Sequence, residues 1–80
     1  MYYAYILKSL KDGTYYKGST DDLQQRIKQH NSGKVSYTKG HLPYKLHYFE
    51  EFDTRTEALQ REKFFKSIDG YNWLKENNII

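Results

Sequence analysis

Arg26, His30 and Glu62 are charged or titratable side chains set into helical stripes that are otherwise apolar. Leu23, Arg26, Ile27 and His30 recur at i, i+3, i+4 and i+7, so all four share one face of a helix. Leu23 and Ile27 are what a core takes. An arginine and a histidine on the same face either decorate its rim or are presented to a ligand. The planar guanidinium of Arg26 suits a phosphate, which it grips with parallel N–H donors. His30 alone reads as a rim histidine with a satisfied hydrogen bond. Glu62 lies at i+4 from Ala58, i+3 from Leu59 and i−3 from Phe65. A carboxylate buried there, ionised and unpaired, is strongly unfavourable. Three outcomes stand open: Glu62 snorkels to water at the rim, pairs with Arg26 in a structural salt bridge, or faces a cleft and holds a divalent cation. A lone carboxylate completed by substrate phosphate oxygens and waters is a normal Mg²⁺ arrangement.

Other chemistries are excluded or unsupported. The chain has no cysteine, hence no thiolate nucleophile and no disulfide framework. His30, His41 and His47 lack the mutual spacing of a zinc site. There are no paired carboxylates at glycosidase spacing, no nucleophile elbow and no phosphate-cradling glycine loop. Tyr3, Tyr5 and Tyr16 read most simply as sheet aromatics, with Tyr5 and Tyr16 able to share one face of a hairpin.

The elements that position these residues are short. Tyr2 to Lys8 is β-rich, with apolar groups on both faces, which predicts a central strand. Asp12-Gly13 is a hairpin turn signal, and Thr14 to Gly18 returns as a second strand. A helix follows from about Asp21 to Asn31, with Ser19 or Thr20 as its cap and Ser32-Gly33 as its stop. Ser32 to Tyr44 shows no periodicity, and a loop this long in a small domain is usually functional or mobile. Lys45 to Phe52 is a third strand. Thr54-Arg55-Thr56-Glu57 fits a capping box opening a second helix, whose apolar stripe is Ala58, Leu59, Phe65 and Ile68. Asp69-Gly70 is expected to break it, leaving Tyr71 to Asn77 as a third helix that folds Trp73 and Leu74 onto the core. The expectation is one domain over residues 1–80, with no linker or repeat.

Eighty residues suffice for one small core. No stretch suits a membrane span or a signal peptide, and the composition fits a reducing cytoplasm. The net charge of +3 is unevenly spread: residues 1–45 carry eight basic and three acidic groups, residues 46–80 five basic and seven acidic. A basic half rich in tyrosine is an electrostatic footprint for nucleic acid, although a solvated lysine-rich surface reads equally well from charge alone. Lys17, Lys28, Lys34, Tyr37 and Lys39 are the candidate nucleic-acid contacts.

Taken in order, these residues resemble the GIY-YIG nuclease domain, of the small free-standing bacterial type. The resemblance covers essentially the whole chain. The first motif falls on Tyr3-Ala4-Tyr5 and the second on Tyr16-Lys17-Gly18, followed by Ser19-Thr20. Asp22 to Asn31 matches the segment carrying an arginine and, four residues later, a histidine. Glu57 to Lys66 matches the segment carrying the metal-binding glutamate. Tyr3, Ala4 and Lys17 depart from the motif residues at backbone or packing positions. The family's further asparagine has only Asn72 as a rough counterpart, about one residue out of place.

The resemblance implies an α+β domain, ββαβαα, with a three-stranded antiparallel sheet flanked by helices, cleaving DNA phosphodiesters with one Mg²⁺ or Mn²⁺. It implies Tyr5 as general base or base relay, Tyr16 orienting water or phosphate, Arg26 on the scissile phosphate, His30 assisting proton transfer and Glu62 on the metal. A cation and Arg26 beside Tyr5 are expected to favour its phenolate. With no attached DNA-recognition module, cleavage is expected to be weakly sequence-specific and possible in repair or recombination. Two alternatives remain: a nucleic-acid-binding module of the same fold with little turnover, and a small interaction domain whose Arg26–Glu62 pair is structural.

Overall fold

A strand with apolar side chains on both faces needs a packing layer on each. The computed structural model, which describes residues 1–80, supplies both. β1 (Tyr2–Ser9) is the centre of an antiparallel sheet, with β2 (Tyr15–Thr20) along one edge and β3 (Tyr44–Phe52) along the other. Ala4 and Ile6 pack against Phe65 of α2 (Arg55–Lys66) and Leu74 of α3 (Ile68–Glu76). Tyr5 and Leu7 point the other way, against Tyr44 and the half-buried Leu23 and Ile27 of α1 (Leu23–Asn31). The architecture is the expected α+β ββαβαα arrangement, one helix on one face of the sheet and two on the other.

The boundaries differ where side chains found better partners than the sequence suggested. β2 runs on to Thr20, while Thr14 stays in the turn, where its N–H and hydroxyl donate to Asp12 Oδ1 at 3.1 and 2.7 Å. Gly13 takes the left-handed conformation that turn needs, with φ +77°. Ser19 and Thr20 belong to the strand, so α1 is capped by Asp22, whose Oδ1 accepts from Gln25 N at 3.1 Å. The break between α2 and α3 falls at Ser67, not at Asp69-Gly70. Ser67 is extended, its hydroxyl donates to the Phe64 carbonyl at 2.6 Å, and the same oxygen accepts from Gly70 N at 3.0 Å. Gly70 lies inside the first turn of α3, where a Cβ would stand 1.6 Å from the Phe64 carbonyl oxygen. Its role is close approach of two helices rather than helix breaking. The predicted stripe on α2 is correspondingly narrower: Ala58 and Phe65 are buried, Leu59 is exposed, and Ile68 faces water as part of α3. Trp73 and Leu74 fold onto the core as expected, the Trp73 ring stacking on Phe65.

The aperiodic stretch after α1 is ordered by side chains rather than by its own backbone, with a single 3₁₀ turn at Lys39–His41. Asn31 exchanges hydrogen bonds with the Tyr44 backbone, and Ser9 Oγ donates to the His41 carbonyl at 2.6 Å. Thr38 is buried, with Oγ1 2.8 Å from His30 Nδ1 and its hydroxyl directed to the Val35 carbonyl at 3.3 Å. His30 is fully buried rather than at a rim, and its Nε2 lies 3.0 Å from Tyr5 Oη. The donors sort in one direction: Tyr5 O–H to His30 Nε2, His30 Nδ1–H to Thr38, Thr38 O–H to Val35. That order keeps the imidazole neutral. Burial, then the nearby Arg26 cation, pushes its pKa down to about 4 from 6.5.

Two tests follow from the packing. An unfolded His30 takes up a proton below pH 6.5, whereas the native one resists until about pH 4. The stability supplied by the neutral imidazole is therefore complete above pH 6.5 and is lost as pH falls from 6.5 to 4. Denaturant titrations should show the wild type losing about 2 kcal/mol more than His30→Gln between pH 7 and 5. Parallel slopes for the two proteins would contradict the assignment. Gly70→Ala forces α2 and α3 apart and should lower stability by more than about 3 kcal/mol, a fall in thermal midpoint of roughly 10 °C or more.

Candidate active site

β2 is an edge strand, and its alternation sends Tyr16 and Gly18 to the face of Tyr5, and Lys17 and Ser19 to the face of Ala4 and Ile6. Gly18 lies opposite Tyr5 in the register. The Tyr5 ring crosses the space its missing side chain leaves: a Cβ there would stand 2.6 Å from Tyr5 Oη and 2.7 Å from Cζ. Only glycine lets the tyrosine pass over the strand toward its free edge. One residue on, Ser19 points to the opposite face, where its hydroxyl donates to Glu62 Oε1 of α2 at 2.6 Å. A single backbone step, Gly18-Ser19, thus has Tyr5 and His30 on one side and Glu62 on the other.

The remaining groups gather around that step. Ring centroids lie 4.7 Å apart for Tyr16 and His30, 6.1 Å for Tyr5 and His30, and 6.3 Å for Tyr5 and Tyr16. Arg26 reaches in from α1 beside both tyrosines, which raise its pKa further, while its Nη1 donates to Gln29 Oε1 at 3.0 Å. Two depressions flank the edge. One, of about 240 Å³, is lined by Arg26, Gln29, Ser19, Thr20 and Arg55 among others. The other, of about 430 Å³, is lined by Tyr15, Tyr16, Lys17, Tyr37 and Lys66. Glu62 binds Ser19 from the first and Lys66 from the second, its Oε2 2.7 Å from Lys66 Nζ, so its carboxylate lies between them.

This geometry decides among the fates of Glu62. It makes no ion pair with Arg26; the pairs are Lys66–Glu62, Arg61–Glu50, Arg55–Asp21 and His41–Asp12. The structural Arg26–Glu62 bridge is therefore absent. Glu62 is mostly covered, with a side chain 20% exposed, and already holds a cation in the form of the Lys66 ammonium. No three His, Asp or Glu side chains cluster anywhere, so a closed metal cage is excluded. A single hard carboxylate beside hydroxyls at an open edge suits Mg²⁺ or Mn²⁺ whose remaining positions are filled by substrate oxygens and water.

The expectation of a Tyr5 phenolate is corrected. Arg26 does favour ionisation, but burial outweighs it and the neighbouring Tyr16 opposes it, so the pKa of Tyr5 rises to about 12. With 1% of its surface exposed, Tyr5 is a neutral hydroxyl committed to His30. Of the pair Tyr5 and Tyr16, it is Tyr16 that reaches the wall of the open depression.

Of the nucleic-acid candidates, Lys17 and Tyr37 line that depression, whereas Lys28, Lys34 and Lys39 are exposed elsewhere and line neither. Asn72 is exposed on α3, also away from both. Thr38, Ser19 and Lys66 escaped the sequence reading. Thr38 sits in an aperiodic loop that carries no signal, and Ser19 passed for a helix cap. Lys66 was legible as an i+4 partner of Glu62.

No helix is long and apolar enough to cross a membrane. A UPF0213 protein of Bacillus licheniformis is 46% identical over 89% of this chain and 73% of its own length. One from Halobacterium salinarum is 41% identical over 85% of this chain and 88% of its own. The solution NMR structure of a UPF0213 protein from Bacillus halodurans superposes with a TM-score of 0.54 at 39% identity, covering 95% of this chain and 84% of that one. The model of the GIY-YIG catalytic domain matches residues 1–72, which span the sheet, the tyrosine pair, Arg26, His30 and Glu62, and the chain therefore belongs to the GIY-YIG family.

Proposed function

We propose that this protein is a metal-dependent endonuclease that hydrolyses DNA phosphodiester bonds with low sequence specificity, directed by DNA structure in repair or recombination. One observation carries the reading: tyrosines and an arginine from one face of the sheet meet a carboxylate from the other at the open Gly18-Ser19 edge. A phosphate entering that edge has a cation donor on one side and a metal-ligand position on the other.

Glu62, steadied by Ser19, would hold one Mg²⁺ or Mn²⁺ in place of the Lys66 ammonium that now meets Oε2. When bound, the ion stabilises charge on the phosphate oxygens and favours the hydroxide form of water. Arg26 grips the same phosphate where negative charge develops in the transition state. Tyr16 orients the attacking water, whose proton is released to solvent. Tyr5 stands behind it as a positioning hydroxyl, its O–H donated in a hydrogen bond to the acceptor nitrogen of a neutral His30. The water oxygen bonds to phosphorus as the bond to the leaving sugar oxygen breaks, and that oxygen is protonated from solvent. Lys17 carries backbone contacts beside the site, with Lys28, Lys34 and Lys39 adding diffuse attraction.

A second reading, binding without turnover, draws support from the Lys66–Glu62 ion pair, which already neutralises the metal-ligand position. Nicked, flapped, cruciform and single-stranded DNA incubated with Mg²⁺ or Mn²⁺ separates the two. Cleavage abolished by EDTA supports the nuclease, whereas salt-sensitive binding with no cut supports the module. Arg26→Ala, Glu62→Gln and Tyr16→Phe should each reduce cleavage by about 100-fold or more. Their thermal midpoints should stay close to wild type. Unfolding of Arg26→Ala or Glu62→Gln would instead assign those side chains a structural role.

A further inference from the structure

Tyr37 is 75% exposed, the most solvent-accessible aromatic among the large exposed hydrophobics. It stands in the loop after α1, immediately before Thr38 of the buried polar chain, with its ring leaning on Tyr16 at 5.6 Å between centroids. It has no side-chain hydrogen bond, so nothing polar in the fold accounts for its position. Opposite it, Lys17 and Lys66 close the depression. Lys17 is half-buried and lines the same depression as Lys66, whose ammonium pairs with Glu62 Oε2 at 2.7 Å; burial, then the Lys66 cation, lowers the Lys17 pKa, and a phosphate placed between the two ammonium groups relieves their repulsion. Beyond Lys17 a further exposed tyrosine, Tyr71, lies with its ring 5.8 Å from the Lys17 ammonium. Aromatic, cation and aromatic therefore alternate across the free edge of β2.

That alternation matches a particular ligand chemistry. Lysines meet phosphates in any nucleic acid, but an aromatic ring can stack only on a base whose face is free. In a duplex every interior base face is covered by its neighbour, and Tyr37 would be left against a sugar–phosphate rail. We propose that the depression lined by Tyr16, Tyr37, Lys17 and Lys66 stacks an unpaired nucleobase, and that single-stranded DNA, or an unpaired stretch within a larger DNA, is the substrate class. The proposal rests on the nuclease reading for the identity of the ligand as DNA. Tyr37 is the base platform, the two lysines hold the flanking phosphates, and the adjacent phosphate is delivered to Tyr16 and Arg26.

Binding measured by fluorescence anisotropy in EDTA tests this without requiring cleavage. The probes are a labelled oligothymidylate, the same length of abasic sugar–phosphate, and a blunt duplex. Wild type should bind the oligothymidylate at least about 10-fold more tightly than either of the others, the step that base stacking supplies. Tyr37→Ala should lose about that factor on oligothymidylate alone, and Tyr37→Phe should retain it. Equal affinity for all three probes, or a Tyr37→Ala loss shared by duplex and abasic strand, overturns the proposal. The nuclease reading fails separately: no cleavage in Mg²⁺ with the stacking pattern intact removes the reaction and leaves the binding site. Cleavage of duplex as fast as single strand keeps the nuclease and overturns the substrate class.

Discussion

The fold depends on one buried hydrogen-bond chain, Tyr5–His30–Thr38. It links the central strand, the first helix and the long loop, segments that also meet through Tyr5, Leu7, Leu23, Ile27 and Leu42. Each of its polar groups would be costly to bury alone, and each is satisfied only when all three segments are in register. The chain therefore works as a positional lock. It also fixes chemistry, because an imidazole that donates from Nδ1 to a threonine has only Nε2 left to offer, and that nitrogen faces Tyr5. Arg26, one helical turn before His30, inherits its position from the same lock.

The arrangement of charge follows from which face each element covers. α1 brings the cation to the tyrosine side of the sheet, and α2 brings the carboxylate to the other. Burying them together would have produced a salt bridge satisfied within the protein and indifferent to any ligand. Keeping them apart, with the sheet edge between, leaves Arg26 on a neutral glutamine and Glu62 on a serine and a lysine. Both are steadied, and neither spends its charge on the other.

Much of this was legible in the sequence, for physical reasons that can be named. The two-faced Tyr2–Lys8 run demanded a central strand, and the i, i+3, i+4, i+7 stripe of Leu23 to His30 set the face of the first helix. Glu62 stood out because a carboxylate in an apolar stripe needs a reason. What was not legible came from tertiary competition for polar groups. Ser19 abandoned helix capping for Glu62, Asp22 took over the cap, and Ser67 rather than Gly70 ended the second helix. The degree of burial of Tyr5 and His30 was also hidden, because it depends on Thr38, a residue in a stretch with no periodicity. Burial reversed the expected ionisation of Tyr5, since desolvation of a phenolate exceeds the attraction of one nearby guanidinium.

The sheet order places β2 at a boundary with no further strand beyond it, and this constrains how copies of the molecule can associate. An edge strand offers unpaired N–H and C=O groups to any extended chain that approaches. A strand docking along β2 would lie over Gly18-Ser19 and seal the gap through which the tyrosine, arginine and carboxylate meet. The same docking along β3, on the far side of the sheet, would leave that gap clear. Sheet extension is thus compatible with an accessible site on one side of the molecule only, and the ammonium groups of Lys17 and Lys66 guard the other.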